Sequence, residues 1–383
     1  MCLVFLVSCF NSNNEKEISS KTHYKIGEII SKKVGVNDKS NSSIFYPSSF
    51  ANDQYKNLYV TLNHDLTLRF VNRLGETIST FQLKDSVPLG PHQFFGDPET
   101  GLIYSTSFRY YDQYPDFLYK YDLNTGEVTE YPAEVDFTPY GERFGFSLIS
   151  QYGRNDTFFL CFGYPYINGG PDRSLRNNLW NVPHLGLAKI DNDSVKFIKG
   201  FGVQIPKLAA EHVWKRPSVE YIPERNEILF SYYFSDTTLI YNFNGDLIHK
   251  VPVHIEGFDK SAFIGSNYKP GCFENTEWYD YLKDSVIYFN EVGFNEKKGM
   301  YYKTINFPHY DDRNVGVVFF DKNGNEELLY GFKGEAPFVN FEKDGIYQFS
   351  NAYDSLHYRV SKYDVYDYPE GFFNTETVLL DEN

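Results

Sequence analysis

The chain has 383 residues, a formal net charge of −15, 19% aromatic residues and four Cys, with a sequence pI of about 5.1. That length holds two or three ordinary domains or one large repeat-built domain. The acidic balance, without a basic run or an Arg-plus-aromatic strip, argues against nucleic acid as a partner, and no apolar run approaches the ~20 residues a bilayer-crossing helix needs.

The chain starts with MCLVFLVSCF, apolar through Val7 and followed by the abruptly polar NSNNEKE. Leu6-Val7-Ser8 ahead of Cys9 has the pattern that closes a bacterial lipoprotein signal, although the positive n-region of a secretory signal is missing. The alternative is a chance apolar start on a cytosolic protein. On the lipoprotein reading, residues 1–8 are a signal remnant, Cys9 is the lipidation site, and residues 9–22 form a flexible tether rich in Asn, Ser, Glu and Lys. Residues 23–383 then make a single domain. Several acyl chains on one Cys suffice for stable anchoring, where a single chain is marginal. Cys161 and Cys272 lie in the apolar stretches TFFLCFG and KPGCFE. Two such residues make no disulfide framework, so they read as buried thiols.

From residue 48 onward one unit repeats. A strand follows a polar turn at NLYVT (Asn57), GLIYS (Gly101), TFFLC (Thr157), EILFS (Glu227), SVIYF (Ser285) and GIYQF (Gly345). A short apolar strand precedes several of these turns: SSFA at Ser48, QFFG at Gln93, SVEY at Ser218 and FVNF at Phe338. A hairpin follows: LTLRFVNRLGETISTFQL, FLYKYDLNTGEVTEYP, LGLAKIDNDSVKFIKGF, LIYNFNGDLIHKVP, VVFFDKNGNEELLYGF and, with a degenerate turn, LHYRVSKYDVY. Gly126, Gly245 and Gly324 supply the positive φ that such hairpins require. Four-stranded antiparallel units at this spacing predict an all-β fold, a six-bladed β-propeller, with a seventh blade inside 254–316 as the alternative. Each sheet, apolar on both faces, is covered by its neighbours, and the 33 Tyr and 35 Phe supply the contact area. HYKIGEII (His23–Ile30) or TETVLL (Thr375–Leu380) completes the sixth blade.

Asp321, Asn323, Asn325 and Glu327 alternate like calcium ligands, but the Gly falls fourth where a calcium loop needs it sixth, so DKNGNEE reads as a hairpin turn. A lipobox-like start followed by six such units resembles the uncharacterised six-bladed β-propeller lipoproteins of Bacteroides-type bacteria (domain of unknown function 4221-like). The resemblance covers nearly the whole chain and is one of architecture. It implies an outer-membrane lipoprotein facing the periplasm or the cell surface, and it brings no site residues.

In such a unit the loops between the second and third strands share one face with the connections between units. The segments assigned to that face are long and varied, and long loops carry function disproportionately. SFRYYDQYPD, GYPYINGGPDRSLRNNLWNVPH, KLAAEHVWKRP and NFPHYDDRN offer Arg109, Tyr110, Arg173, Arg176, Trp180, His184, Trp214, Lys215, Arg216, His309, Asp311 and Arg313 as candidate ligand-binding residues. Arg presents a fork suited to carboxylates, and Trp or Tyr a flat surface for a sugar or peptide ring. The structural alternative is that each residue only anchors its own loop. Glu211-His212 and His309-x-Asp311-Asp312 suit acid–base or metal chemistry. No HExxH, GxSxG, Cys/His cluster or phosphate loop accompanies them. The expectation is a binding protein without assigned catalytic or metal residues and without a cofactor, a structural or channel cation being left open. Its partner is a small molecule, glycan or peptide, or an envelope protein. It is a monomer touching membrane through its lipid anchor alone. The alternative is an envelope hydrolase, lyase or lactonase with a polar or metal site at the channel mouth.

Overall fold

The computed structural model describes residues 22–26, 30–32, 44–47, 59–62, 67–71, 77–82, 92–97, 102–107, 117–122, 124–134, 146–152, 157–162, 185–201, 218–232, 235–259, 284–311, 313–332, 338–342, 345–353 and 359–373. Their regular structure is strand, apart from a 3-10 turn at Pro223–Arg225. β1 (Thr22–Lys25) and β2 (Ile30–Lys32) come first. The first sheet is β3 (Ile44–Pro47), β4 (Tyr59–Leu62), β5 (Thr67–Val71) and β6 (Thr77–Gln82). The second is β7 (His92–Asp97), β8 (Leu102–Ser107), β9 (Phe117–Asp122) and β10 (Glu127–Glu134), and the third is β11 (Phe146–Tyr152), β12 (Thr157–Phe162), β13 (Leu185–Asp191) and β14 (Ser194–Phe201). The fourth is β15 (Ser218–Ile222), β16 (Glu227–Ser231), β17 (Thr237–Asn242) and β18 (Leu247–Pro252), and the fifth is β19 (Tyr288–Asn295), β20 (Met300–Asn306), β21 (Val315–Phe320) and β22 (Glu326–Phe332). The last run has three strands, β23 (Phe338–Glu342), β24 (Gly345–Tyr353) and β25 (Arg359–Tyr366).

Within each run neighbouring strands pair antiparallel in sequence order. The N-terminal strands complete the last two sheets. β1 adds in parallel to β22, and β2 pairs antiparallel with β25 as the fourth strand of the last sheet. The second and third sheets join at their outer strands, where Ala133 of β10 pairs with Val195 of β14.

Two expected units are corrected. SVIYF does not form a second strand. It leads into β19, which is the first strand of the fifth sheet, and β20 is the second. The turn between them, Glu296 to Gly299, is rich in Glu and Lys, so its composition does not mark it; Gly299 at φ 67° makes it possible. LHYRVSKYDVY is no hairpin, because β25 runs unbroken from Arg359 to Tyr366. SKYD lacks a residue suited to positive φ, so the strand continues, and β2 takes the fourth place. Thr375–Leu380 lies outside the described residues. Cys161 lies in β12, and Cys272 also lies outside the described residues.

The fifth sheet shows how the units cover one another. All six residues of β21 are buried. Val318 and Phe320 join a cluster with Leu229, Ile240 and Val251 of the fourth sheet. Val317 and Phe319, on the opposite face, join Val339, Ile346 and Tyr366 of the last sheet. A strand apolar on both faces has to be sandwiched, and truncating one such Phe costs about 3–5 kcal/mol. The first strands also meet from sheet to sheet: β3 with β7, β7 with β11, β11 with β15 and β15 with β19.

The hairpins carry the predicted turn chemistry. Asp321 accepts backbone N–H bonds from Asn323 at 2.8 Å and Asn325 at 2.9 Å on the same carboxylate oxygen, and Gly324 has φ 86°. The carboxylate is thus spent inside the turn. Because the strands alternate in direction, the second-to-third loops and the inter-sheet connections leave from one end of each sheet. The other two hairpins leave from the opposite end.

Candidate functional site

Arg109, Tyr110, Arg173, Arg176, Trp180, His184, Trp214, Lys215 and Arg216 lie outside the described residues, as do Glu211, His212 and Asp312. His309, Asp311 and Arg313 stand in the loop between β20 and β21, at the long-loop end. There Asp311 is bound to Arg313, whose Nε lies 2.9 Å and Nη2 2.5 Å from its carboxylate oxygens. The Arg313 guanidinium, hydrogen-bonded at close range, holds the Asp311 carboxyl below its ordinary value. The same guanidinium lies over the Phe307 ring, 4.1 Å from its centroid. Asp311 and Arg313 therefore brace the loop. His309 points away and meets Asp284 at 2.8 Å, and Tyr310 between them is 80% exposed.

A second constellation, which sequence reasoning missed, lies on the first strands of the fourth and fifth sheets. β19 pairs Phe289 with Ile305 and then Val292 with Lys303, so Asn290 and Glu291 together oppose Thr304 alone. This is a β-bulge, a device that re-aims side chains and recurs beside active sites. Thr304 Oγ1 accepts the Glu291 N–H at 2.8 Å, and Ser218 Oγ of β15 accepts the Val292 N–H at 2.9 Å. The bulge is thereby tied to both neighbouring strands. The Asn290 side-chain nitrogen is buried without a hydrogen-bond partner. Across the ladder Tyr302 pairs with Gly293, and a Cβ at Gly293 would collide with its ring. Only Gly lets the phenol lie flat on that backbone.

Burial, and after it the Glu220 charge on β15, push the Glu291 carboxyl up to about 8. Burial also drives the Tyr302 phenol well above its ordinary value, helped by Glu220 and Glu291. At neutral pH Glu291 is therefore mostly protonated beside another carboxyl and a phenol. Such a group can give a hydrogen bond or a proton to a ligand, as a general acid does. Two carboxylates fall short of a metal cage, and among the described residues no three His, Cys, Asp or Glu group to hold an ion. A sequence signal did exist. NEVG places a Glu two residues ahead of a Gly inside an otherwise apolar strand, and interior strand Gly marks bulges and close approaches.

Glu227, at the start of β16, has the opposite setting. Burial alone would raise its carboxyl, but hydrogen bonds from Lys322 at 2.6 Å, Tyr301 at 2.7 Å and Arg225 at 3.0 Å outweigh it and hold it below the ordinary value. This network crosses from the fourth sheet to the fifth and fixes their seam.

No family model matches the chain, and no curated protein matches it. Among solved structures it is similar to a member of the DUF4221 family from Bacteroides vulgatus, at 9% identity and TM-score 0.58, over 89% of this chain and 96% of that one. It is also similar to a Bacteroides fragilis protein classed provisionally as exported, at 12% identity and TM-score 0.49, over 91% of this chain and 99% of that one. A virginiamycin B lyase from Staphylococcus aureus aligns at 8% identity and TM-score 0.42, over 89% of this chain and 100% of that one. The first likeness is one of fold: the chain is DUF4221-like in architecture across nearly its whole length. The other two carry no argument.

Proposed function

We propose that the chain is a six-bladed β-propeller, lipid-anchored through Cys9 in the bacterial envelope, that binds a ligand at its long-loop end without transforming it. The reading is supported by the lipobox-like start, by the run of four-stranded sheets, and by the β2 strand that completes the last sheet from the N-terminal side. One observation carries the binding assignment. Strand order makes the second-to-third loops and the inter-sheet connections start and finish at the same end of each sheet, and we assign the segments richest in Arg and aromatic residues to that end. An acid-bearing or ring-bearing ligand, a glycan or a peptide, matches that chemistry. Arrays of acidic glycans and peptides identify the ligand class, and calorimetry with the strongest hit measures the affinity. Trp180→Ala with Arg216→Ala weakens it about tenfold or more at an unchanged melting temperature. Equal affinity in the double variant contradicts the assignment.

The second reading, an envelope hydrolase, lyase or lactonase, is favoured by one observation, the β-bulge that places Glu291 of β19 between β15, which carries Glu220, and β20, which carries Tyr302. In that case Glu291→Gln abolishes turnover of the same hit and leaves its binding intact.

A further inference from the structure

Among the described residues, the most exposed aliphatic side chains and the departure point of the N-terminal segment lie on neighbouring parts of the outer rim. Thr22 pairs with Glu327, next to the hairpin that joins β21 to β22. The chain ahead of Thr22 therefore departs at the far end of β21 from the Phe307–Asn314 loop, a strand-length of roughly 20 Å away. The adjoining Glu326 accepts the backbone N–H of His254 at 2.6 Å, and His254 lies just past the end of β18. The departure point is thus the outer seam between the fourth and fifth sheets.

Along that rim, β18 begins with Leu247 and Ile248, exposed by 41% and 42%, and the neighbouring β14 presents Ile198, exposed by 47%. Both isoleucines are the extra residues of β-bulges: Ile248 falls between the Ile240–His249 and Tyr241–Leu247 pairs, and Ile198 between the Leu187–Lys199 and Ala188–Phe197 pairs. A bulge re-aims its side chains, which sets these aliphatic groups outward on the rim. The two outer strands are held together there. Lys199 donates through Nζ to the Asn244 carbonyl, and the Phe201 ring lies 6.0 Å from that of Tyr241. β22 is covered by β1 and β25 by β2, whereas among the described strands none is added to the outer side of β18. Charge does not set the character of the patch. Lys196 is paired with Asp191 at 2.9 Å, and Asp193 and Asp246 offset Lys199 and Lys250, so the aliphatic groups dominate.

We propose that this rim, formed by Ile198, Leu247 and Ile248, rests on a phospholipid bilayer beside the departing N-terminal segment and turns the long-loop end away from the membrane. The proposal rests on the lipid-anchored reading given above. Residues 9–22, fully extended, span at most about 45 Å. β18 accounts for only about 20 Å of rim between Leu247 and the departure point, so an anchor in the bilayer brings the patch within reach of the surface. Half-exposed aliphatic side chains gain from entering the interfacial layer, and a single weak contact next to an anchor is strengthened by the tether.

The test uses the full chain carrying Cys9→Ser, so no acyl chain contributes, and vesicles of phosphatidylethanolamine and phosphatidylglycerol. Co-sedimentation shows measurable binding that changes little with salt. Ile198→Ser with Leu247→Ser and Ile248→Ser lowers it about tenfold or more, whereas Tyr310→Ser, at the loop end, leaves it unchanged. No binding by the Cys9→Ser protein, or an equal loss with Tyr310→Ser, overturns the proposal. So does a concentration-dependent dimer, abolished by the triple substitution, in place of vesicle binding. Mass spectrometry of the envelope-extracted protein reports separately on lipidation at Cys9. A failure of the anchor is therefore distinguished from a failure of the rim contact.

Discussion

Glu227 and Glu291 lie on neighbouring sheets, each beside Tyr301 or Tyr302, and the fold treats them in opposite ways. Glu227 is 3% exposed and accepts bonds from a Lys, an Arg and a Tyr, so it stays ionised despite its burial. For Glu291, burial and after it the Glu220 charge push the carboxyl up to about 8. The first arrangement joins two sheets. The second has a raised carboxyl on a bulged strand and an unpartnered amide beside it, features that make nothing more stable. Burial raises both carboxyls, and the donors around Glu227, set against the Glu220 charge beside Glu291, send the two in opposite directions.

That contrast can be broken most sharply at Glu227. Glu227→Ala strands Lys322 and Arg225 at the seam and destabilises the protein by about 3–5 kcal/mol at neutral pH, measured by urea unfolding. A loss below ~1 kcal/mol would show that the seam does not depend on the network. Next, Gly293→Ala forces the Tyr302 ring off the backbone and costs about 1–3 kcal/mol, and Tyr302→Ala in the same background recovers most of the steric part of that loss.

pH separates the two carboxylates by sign. The Glu291 pKa is raised from an unfolded value near 4.5 to about 8, so its contribution is complete below 4.5 and is lost as pH rises through 8. Glu291→Gln, which keeps the neutral form, matches the native protein below about pH 4.5 and gains on it by up to about 1.4 kcal/mol per pH unit between the two values. Glu227 has a depressed value. Its contribution is present above the unfolded pKa and is lost as pH falls through the folded one, on the acid side. The smallest effect belongs to Asp311→Ala. It frees the Arg313 guanidinium from a partly buried loop pair, costs about 1 kcal/mol, and is read as a small drop in melting temperature.

Much of the strand order was legible because alternation and hairpin chemistry are local. Asn124-Thr125-Gly126, Asn244-Gly245 and Asn323-Gly324 mark turns wherever they fall, and the hairpins around them are present. The failures occur where local composition misleads. The Glu296–Gly299 turn is made of residues that also suit a solvated strand, so the fifth unit was placed one strand too early. The fourth strand of the last sheet comes from the N-terminal side, one of the two closures the sequence offers, but as Ile30–Lys32, because a pairing of high sequence separation leaves no local pattern that fixes its bounds. The candidate site was less legible for the same reason. Glu291 gains its properties from Glu220, 71 positions earlier in the chain, and from a bulge that exists only once β19 and β20 are paired. Asp311 and Arg313, two residues apart, could be suspected of serving each other, and they do.

The most direct test is carbon-13 NMR titration of the Glu side-chain carboxyls. The structure requires one Glu resonance to titrate near pH 8 and to vanish in Glu291→Gln, while the Glu227 resonance titrates below the ordinary Glu range. If instead the Glu291 signal moves between pH 4 and 5 like a solvated carboxyl, the two inner strands hold no protonated group at neutral pH, and the contrast with Glu227 and the second reading both fall.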